Sequence, residues 1–482
     1  MKNVLYYISF LFLFCSGCND FLEYKDKDKI IPKELKHFNE LIYGEIIKKT
    51  DGNEMMYLQL LTDETVSVVI PLGPQERSDG RTQKSYFTWA INEQLDENEK
   101  EYNDIAWAFF YHKILMCNII ENNVNAFEED NQGVKYRLLG ETAFLRAMSY
   151  YYLVNLYGQP YKNKEQARTA LGVPINTAVG LDPKIYTRAT LQKNYDLIEK
   201  DLLKAIDLLQ HGEKLNTIFR PNRDVAHLFL SRIYLEQKEW GKALSECNLL
   251  ISQSHASIET KEHMQNYLEN DIVLYNSSNP GILFSWGTRK NPILSFNTRL
   301  AAHWEVNPEL KNMYGEKDIR STAFFSKYAP KYPNKYTIQN NLTCYNWSYR
   351  IEEAYLNRAE ACIELGGNAN IQQAMSDINV IRQNRIDGEY EKHALNAKDA
   401  MTILRNEKKM EFCFEEIRWF DIRRWEIEII HKLQYLNTPE KYDTYVLKSG
   451  SPNYVLSLPL EVQKINDKIE KFEREETLVN HY

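Results

Sequence analysis

The sequence predicts a mostly α-helical fold: tetratricopeptide-like helix pairs forming a scaffold, broken by long irregular segments and a few short strands. Three observations carry this. Apolar residues recur at three- and four-residue intervals in separate stretches, each marking one face of a helix. Two stretches read as helix–turn–helix units, one of them closed by the stop signal Gly366-Gly367. Elsewhere the periodicity fades, and Asn, Pro, Ser, Tyr and Trp accumulate. At 482 residues, 43% hydrophobic and 26% charged, the chain has the composition of a folded globular protein, neither disordered nor fibrous.

The elements follow in order. Lys2 supplies a positive start, and residues 4–14 form an apolar run of the length expected for export. Small residues then lead to a cysteine in Cys15-Ser16-Gly17-Cys18, which resembles the lipobox of a bacterial lipoprotein with Cys15 in the usual place of Leu. Cys15 and Cys18 also form a C-x-x-C. No second Cys or His pair is spaced to complete a zinc site, so the export reading is preferred. The alternative is an ordinary secretory signal with a coincidental cysteine. On this reading residues 1–17 are a signal peptide, and residues 18–30 are a lipidated Cys18 followed by a solvated tether. Residues 31–482 are then a single domain. An acylated Cys18 would hold the protein on a membrane without spanning it.

Within the domain, Trp107, Phe110, Ile114 and Cys117 mark a first helix. Leu139, Ala143, Ala147, Tyr150 and Val154 mark a second, and Leu191, Tyr195, Ile198, Leu202, Ala205 and Leu209 a third. Residues 224–236 and 242–251, joined at Lys238-Glu239-Trp240, form one helix pair. Residues 351–365 form another with the helix through Ala374, Ile378 and Ile381. Small Ala residues near each turn, with Tyr234 and Tyr355, loosely match tetratricopeptide packing. The scaffold thus covers about residues 100–254 and 351–430. The irregular stretches cover about 62–94 and 255–350, the latter with a strand-like Gly281-Ile282-Leu283-Phe284-Ser285-Trp286. Long irregular segments on a helical scaffold are commonly functional, so a ligand is expected there. The remaining cysteines, Cys117, Cys247, Cys344, Cys362 and Cys413, are odd in number and scattered, which argues against a disulfide framework.

Several function classes find no support. The net charge is −8 and no Lys/Arg block stands out, which argues against nucleic-acid binding. No apolar run is long enough to span a bilayer. Nucleotide, dinucleotide, serine-hydrolase and zincin motifs are absent, and nothing calls for a cofactor or a metal. The densest charged group is Glu407, Glu411, Glu415, Glu416, Arg418, Asp421, Arg423 and Arg424. Glu407, Glu411, Glu415 and Arg418 are spaced as one helical face of acids meeting a base. An acid/base site or anion clamp is one reading. A structural ion network of Glu407, Glu411, Glu415, Arg418, Asp421 and Arg424 is the preferred one, because no nucleophile or metal motif accompanies it.

Taken together, several segments resemble one family. They are Cys18-Asn19-Asp20-Phe21-Leu22-Glu23; Gly140-Glu141-Thr142-Ala143-Phe144-Leu145-Arg146-Ala147 through Tyr157-Gly158; and Thr187-Arg188 with Asp201-Leu202. Asn357-Arg358-Ala359-Glu360-Ala361 with Asn379-Val380-Ile381-Arg382 follows, then Glu407 to Trp425, then Leu458-Pro459-Leu460. In this order along nearly the whole chain they are similar to the SusD/RagB-type nutrient-uptake outer-membrane lipoproteins of Bacteroidota. Glu416 departs from the family's usual Gly, and Lys408 from its usual Arg.

The resemblance implies a SusD-like helical fold with an irregular ligand face and no catalysis. It also implies a SusC-like TonB-dependent transporter as partner, and an outer-membrane location through a lipid anchor, facing the cell exterior. Sugars are held by aromatic faces and by amide or charged groups. Trp89 with Asn92 resembles the family's starch-binding pair, and Trp286, Trp304, Trp347, Tyr86 and Tyr314 are further ligand-binding candidates. For each ring, packing is the competing reading. Trp107, Trp240 and Trp425 fall on helices and are assigned to the core. An oligosaccharide is the expected ligand. A peptide-capturing member of the family, a surface α-helical glycoside hydrolase and a tetratricopeptide adaptor are the alternatives.

Overall fold

The computed structural model describes residues 32, 34–48, 54–68, 80–95, 99, 101, 104–127, 131–180, 184–287, 304–326, 333–335, 344–435 and 438–481. The signal peptide, Cys18 and the tether lie outside the described residues.

Sixteen described α-helices follow one another, with seven strands. The first are α1 (Leu35–Leu41), α2 (Gly80–Phe87), α3 (Ala106–Ala126), α4 (Gln132–Tyr157), α5 (Lys164–Ala167) and α6 (Leu191–His211). Then come α7 (Arg223–Glu236), α8 (Trp240–Gln253), α9 (Lys261–Glu269), α10 (Pro308–Asn312) and α11 (Arg320–Ala323). The last are α12 (Ile351–Leu365), α13 (Asn368–Gln383), α14 (Ala397–Glu411), α15 (Ile417–Trp425) and α16 (Leu460–Ile465). The strands are β1 (Thr65–Ser67), β2 (Ile282–Trp286), β3 (Trp304–Val306), β4 (Trp347–Arg350), β5 (Ile429–Tyr435), β6 (Thr438–Leu447) and β7 (Leu478–Asn480).

Local chemistry sets the long helices. Asn131, Thr190, Asn222 and Asn396 cap α4, α6, α7 and α14, each side chain accepting a backbone N–H three residues on. Gly366, at φ +71°, ends α12 in a conformation that a Cβ would oppose. The predicted α12 boundaries and the α7–α8 turn match the structure.

The helices form one ladder. α3 packs on α4, α4 on α6, α6 on α7 and α7 on α8. The next contact is α8 on α12, which then packs on α13 and α14. The two scaffold blocks are therefore neighbours in space, and the segment between them is an excursion from a continuous stack. α4 is the axis of this stack: it is buried on nearly all sides from Leu138 to Tyr157. Gly140 permits its close approach to α6, since a Cβ there would lie 2.7 Å from the Leu209 Cγ. Each fully buried large aliphatic or Phe side chain along this axis contributes roughly 1.5–3 kcal/mol.

The strands close the excursions. β2 pairs antiparallel with β4, which runs directly into α12, so residues 287–346 leave and return at one place on the scaffold. β1 pairs antiparallel with β3, Thr65 opposite Val306 and Ser67 opposite Trp304. β5, β6 and β7 form an antiparallel C-terminal sheet absent from the sequence-based expectation. The five cysteines Cys117, Cys247, Cys344, Cys362 and Cys413 are buried and unbridged. No described helix is long and apolar enough to cross a membrane.

Candidate functional site

The β1–β3 pair joins the two irregular segments, which lie more than two hundred residues apart in sequence. Asn307 reinforces the join: its backbone N–H donates to the Glu64 carbonyl at 2.7 Å, and its Nδ2 donates to the Asp63 carbonyl at 2.9 Å. Rings stack across the seam. Trp304 lies against Phe87 (centroids 4.6 Å apart), Phe87 against His431 (4.0 Å) and His431 against Trp89 (4.2 Å). His431 reaches two backbone carbonyls, Phe87 O at 2.6 Å through Nδ1 and Thr62 O at 3.0 Å through Nε2. Burial pushes its imidazole down to about 4, against the pull of those two acceptors.

The sequence candidates take definite places here. Trp89 is wholly buried; its Nε1 donates to the Leu61 carbonyl at 3.1 Å, and its backbone stands at φ +48°. Trp286 is also wholly buried; it donates to the Tyr349 hydroxyl at 2.7 Å and packs on Trp347 at 4.5 Å. Trp304 and Trp347 are buried as well. Tyr86 stacks on Tyr57 at 4.5 Å, and Tyr314 donates to the Met410 carbonyl at 2.8 Å. These six rings thus pack against protein neighbours in this conformation, as their competing packing reading expects. The physical reason is size: an aromatic side chain buries a large area wherever the fold lets it. Of the pair Trp89 and Asn92, Asn92 is the one partly open to solvent, on the turn 91–95, where its Oδ1 accepts from Gln94 N. Among the tryptophans assigned to the core, Trp107 is buried. Trp240 and Trp425 are half-buried, which corrects that assignment for these two. Trp425 sits on α15 with its Nε1 on Glu360 and Arg405 over its ring.

The charged group is a buried ion network. Glu411 accepts from Arg385, Arg350 and Arg320. Arg320 also holds Asp318 and Glu407, and Arg382 holds the other Glu407 oxygen at 2.9 Å. Glu415 accepts from Arg350 and Lys335, Arg418 binds Asp63, and Arg424 binds Glu360 and Asp421. Burial alone would raise the Glu411 carboxyl; the three guanidiniums hold it well below the usual range. One expectation fails. The acids and Arg418 do not share one helical face, because α14 ends at Glu411 and Phe414 turns at φ +62° before α15 begins. Glu415 sits in that turn and Arg418 on the next helix.

Sequence reasoning missed the partners Arg320, Arg350 and Arg385, the carboxylates Asp63 and Glu64, and His431. Three acids at four-residue intervals signal that cations must meet them. Nothing in the spacing says which, since the partners arrive from β4, α11 and the residues just after α13.

A cleft of about 1140 Å³ lies beside this network. One wall is the turn 315–319, tied to the segment after α13 by Ile319 N to Arg385 O (2.9 Å) and Asp387 N to Lys317 O (3.0 Å). The other wall is α14, presenting Ile403, Asn406, Glu407 and Met410. Among the described residues, no Trp, Tyr or Phe lines it.

Residues 20–235 match a family described as "Starch-binding associating with outer membrane", and residues 211–475 match the SusD family. The chain is 21% identical to SusD-like protein P25 of Formosa agariphila, over 90% of this chain and 92% of that one. It is 24% identical to SusD-like protein P2 of the same organism, over 73% and 76%. A SusD superfamily protein from Bacteroides fragilis superposes with a TM-score of 0.72 at 18% identity, covering 92% of this chain and 100% of that one. A putative sugar binding protein from Bacteroides vulgatus superposes with 0.69 at 21% identity, covering 91% and 97%. The fold is shared throughout.

Proposed function

The chain belongs to the SusD family, and from that premise we propose that it is a non-catalytic binding protein that captures oligosaccharides at the outer membrane. In the finer reading it is a lipoprotein held by Cys18, facing the cell exterior. It delivers its ligand to a SusC-like TonB-dependent transporter by lid-type capture over the pore. The starch-binding family matched over residues 20–235, and a relative in structure described as a sugar binding protein, support the carbohydrate class.

The observation that carries the reading is the seam between the irregular segments. The ladder alone would be a complete helical scaffold, yet the chain spends two long excursions that are zipped together by β1 and β3. A tetratricopeptide adaptor needs neither. The turn 91–95, with Asn92 partly open and Ile91 exposed, is the part of this seam proposed to meet ligand.

Isothermal titration of the detergent-extracted full chain against glycan oligomers and peptide mixtures tests this. Saturable binding of a glycan class without product formation is expected. Binding of peptides alone would replace the substrate while keeping the scaffold and partner, and turnover of a glycan would replace capture with hydrolysis.

A further inference from the structure

We propose that the cleft between residues 315–319 and α14 is a separate subsite for a neutral oligosaccharide, gripped by its hydroxyl edges rather than by ring stacking. This rests on the capture reading above and assigns a place to it that the aromatic candidates do not occupy.

Several charges of the cleft lining are already paired. Asp318 and Glu407 are both held by Arg320, at 2.8 and 2.7 Å, and Asp387 is held by Lys261 at 2.7 Å. What remains uncommitted among the described residues is two cations and two anions: Lys317 and Lys392, Glu316 and Glu389, all exposed. The lining therefore offers donors and acceptors in balance. A strong anion would meet the two glutamates and a strong cation the two lysines, whereas a hydroxyl can both donate and accept.

The floor supplies a directed donor. Arg382 is 8% exposed. Its Nε donates to the Tyr390 carbonyl at 2.6 Å and its Nη1 to Glu407 at 2.9 Å, but its Nη2 makes no hydrogen bond among the described residues. Nη2 is not among the sealed polar atoms left without a partner, so it opens to the cleft, where water or a ligand hydroxyl can take its N–H groups. Asn406, exposed on α14, adds an amide with one acceptor and two donors. Met313, Ile386, Ile403 and Met410 supply apolar surface for the C–H faces of a sugar.

Shape agrees. The volume stands just above the range of ordinary ligand pockets, about 300–1,000 Å³, so the space suits several linked sugar units rather than one. Gly388, at φ +85°, makes the turn that brings Glu389 and Lys392 round to the mouth, a conformation that resists any side chain.

The test uses the detergent-extracted full chain, wild type and Lys317→Ala/Asn406→Ala, titrated with maltoheptaose, xylohexaose, mannohexaose, polygalacturonate oligomers and a casein digest. Hydrogen exchange is followed with and without each probe. Both substituted residues are exposed and lie outside the ion network, and an unchanged thermal midpoint verifies the fold. Support is binding of a neutral oligomer by wild type, weakened about tenfold or more in the variant, about 1.4 kcal/mol, with slowed exchange in residues 385–393. Neutral-oligomer binding that the variant leaves unchanged, with no protection there, overturns the subsite and leaves capture standing. Cleft-dependent binding of only the uronate oligomers or the peptides overturns the neutral-sugar class. Absence of any glycan binding by wild type overturns the capture reading, and the subsite with it.

Discussion

Arg385 grips Glu411 through two parallel bonds, Nε to Oε2 at 3.0 Å and Nη2 to Oε1 at 2.9 Å, and neither side chain reaches solvent. The pair ties the residues after α13 to the last turn of α14. Arg320 and Arg350 converge on the same carboxylate, so three guanidiniums share one acid; each has a further carboxylate, Asp318 and Glu407 for Arg320, Glu415 for Arg350 and Glu352 for Arg385.

Glu411→Ala should therefore be among the most damaging single changes in the chain. It leaves three buried cations short of a partner, for which a loss of about 3–5 kcal/mol is the usual scale. Glu411→Gln keeps the shape and loses the charge, and should fall between. Thermal and urea unfolding of the three proteins checks this; equal midpoints would show that water or a rearranged Glu352 replaces the lost carboxylate.

Trp89→Ala should act first on stability. The ring fills a sealed site between His431 and the Leu61 carbonyl, and large-to-small changes of buried Trp cost about 3–5 kcal/mol. Trp89→Phe should cost less, mainly the buried carbonyl left without its donor, about 1–3 kcal/mol. Unfolding midpoints beside glycan titrations separate the roles. A stable Trp89→Ala protein with lost affinity would return the ring to the ligand.

How far the sequence was legible follows from the same residues. Helix α12 could be read to its ends, because periodicity runs from Ile351 to Leu365 and Gly366-Gly367 stops it. The break between α14 and α15 could not, because Glu407, Glu411, Glu415 and Arg418 keep helical spacing straight through a turn made by Phe414. The pairing of residues 65–67 with 304–306 joins strands of three residues each, too short to show alternation. For the candidate site, Trp89 was named from the sequence as a ligand candidate, and its buried surroundings were not foreseen. Its stacking partner His431 lies on a C-terminal strand that no local pattern connects to it.

Cys18→Ala tests the anchor. With no acyl chain, the protein should leave the membrane fraction while keeping its affinity for glycan, since the tether at residues 18–30 lies ahead of the folded domain in the proposed organisation. Fractionation of cells lacking the partner transporter gives the measurement. Retention of the variant on outer membranes in those cells would mean that something other than Cys18 holds it.

Glu64 supplies a prediction with a definite sign. Its carboxyl is sealed just before β1, where Oε2 accepts from Phe414 N at 3.2 Å and Oε1 has no partner among the described residues. Burial pushes it from an ordinary 4.5 up to about 8, against the attraction of Arg418. The folded state therefore holds a proton that the unfolded chain releases above about 4.5. The stability linked to that proton is fully present below 4.5 and is lost as pH rises through about 8, with a slope of at most about 1.4 kcal/mol per pH unit. Asp104 and Glu236, each pushed by burial to about 7, act in the same direction. His431 acts in the other: it is neutral when folded, and its contribution is lost as pH falls from 6.5 to about 4. Glu64→Gln keeps an acceptor for Phe414 N and cannot ionise. Its unfolding midpoint should fall less than that of wild type between pH 6 and about 9, while the two should keep the same slope below pH 4. Parallel curves across the alkaline range would mean that Glu64 is already ionised in the folded protein, held by Arg418 rather than by a proton.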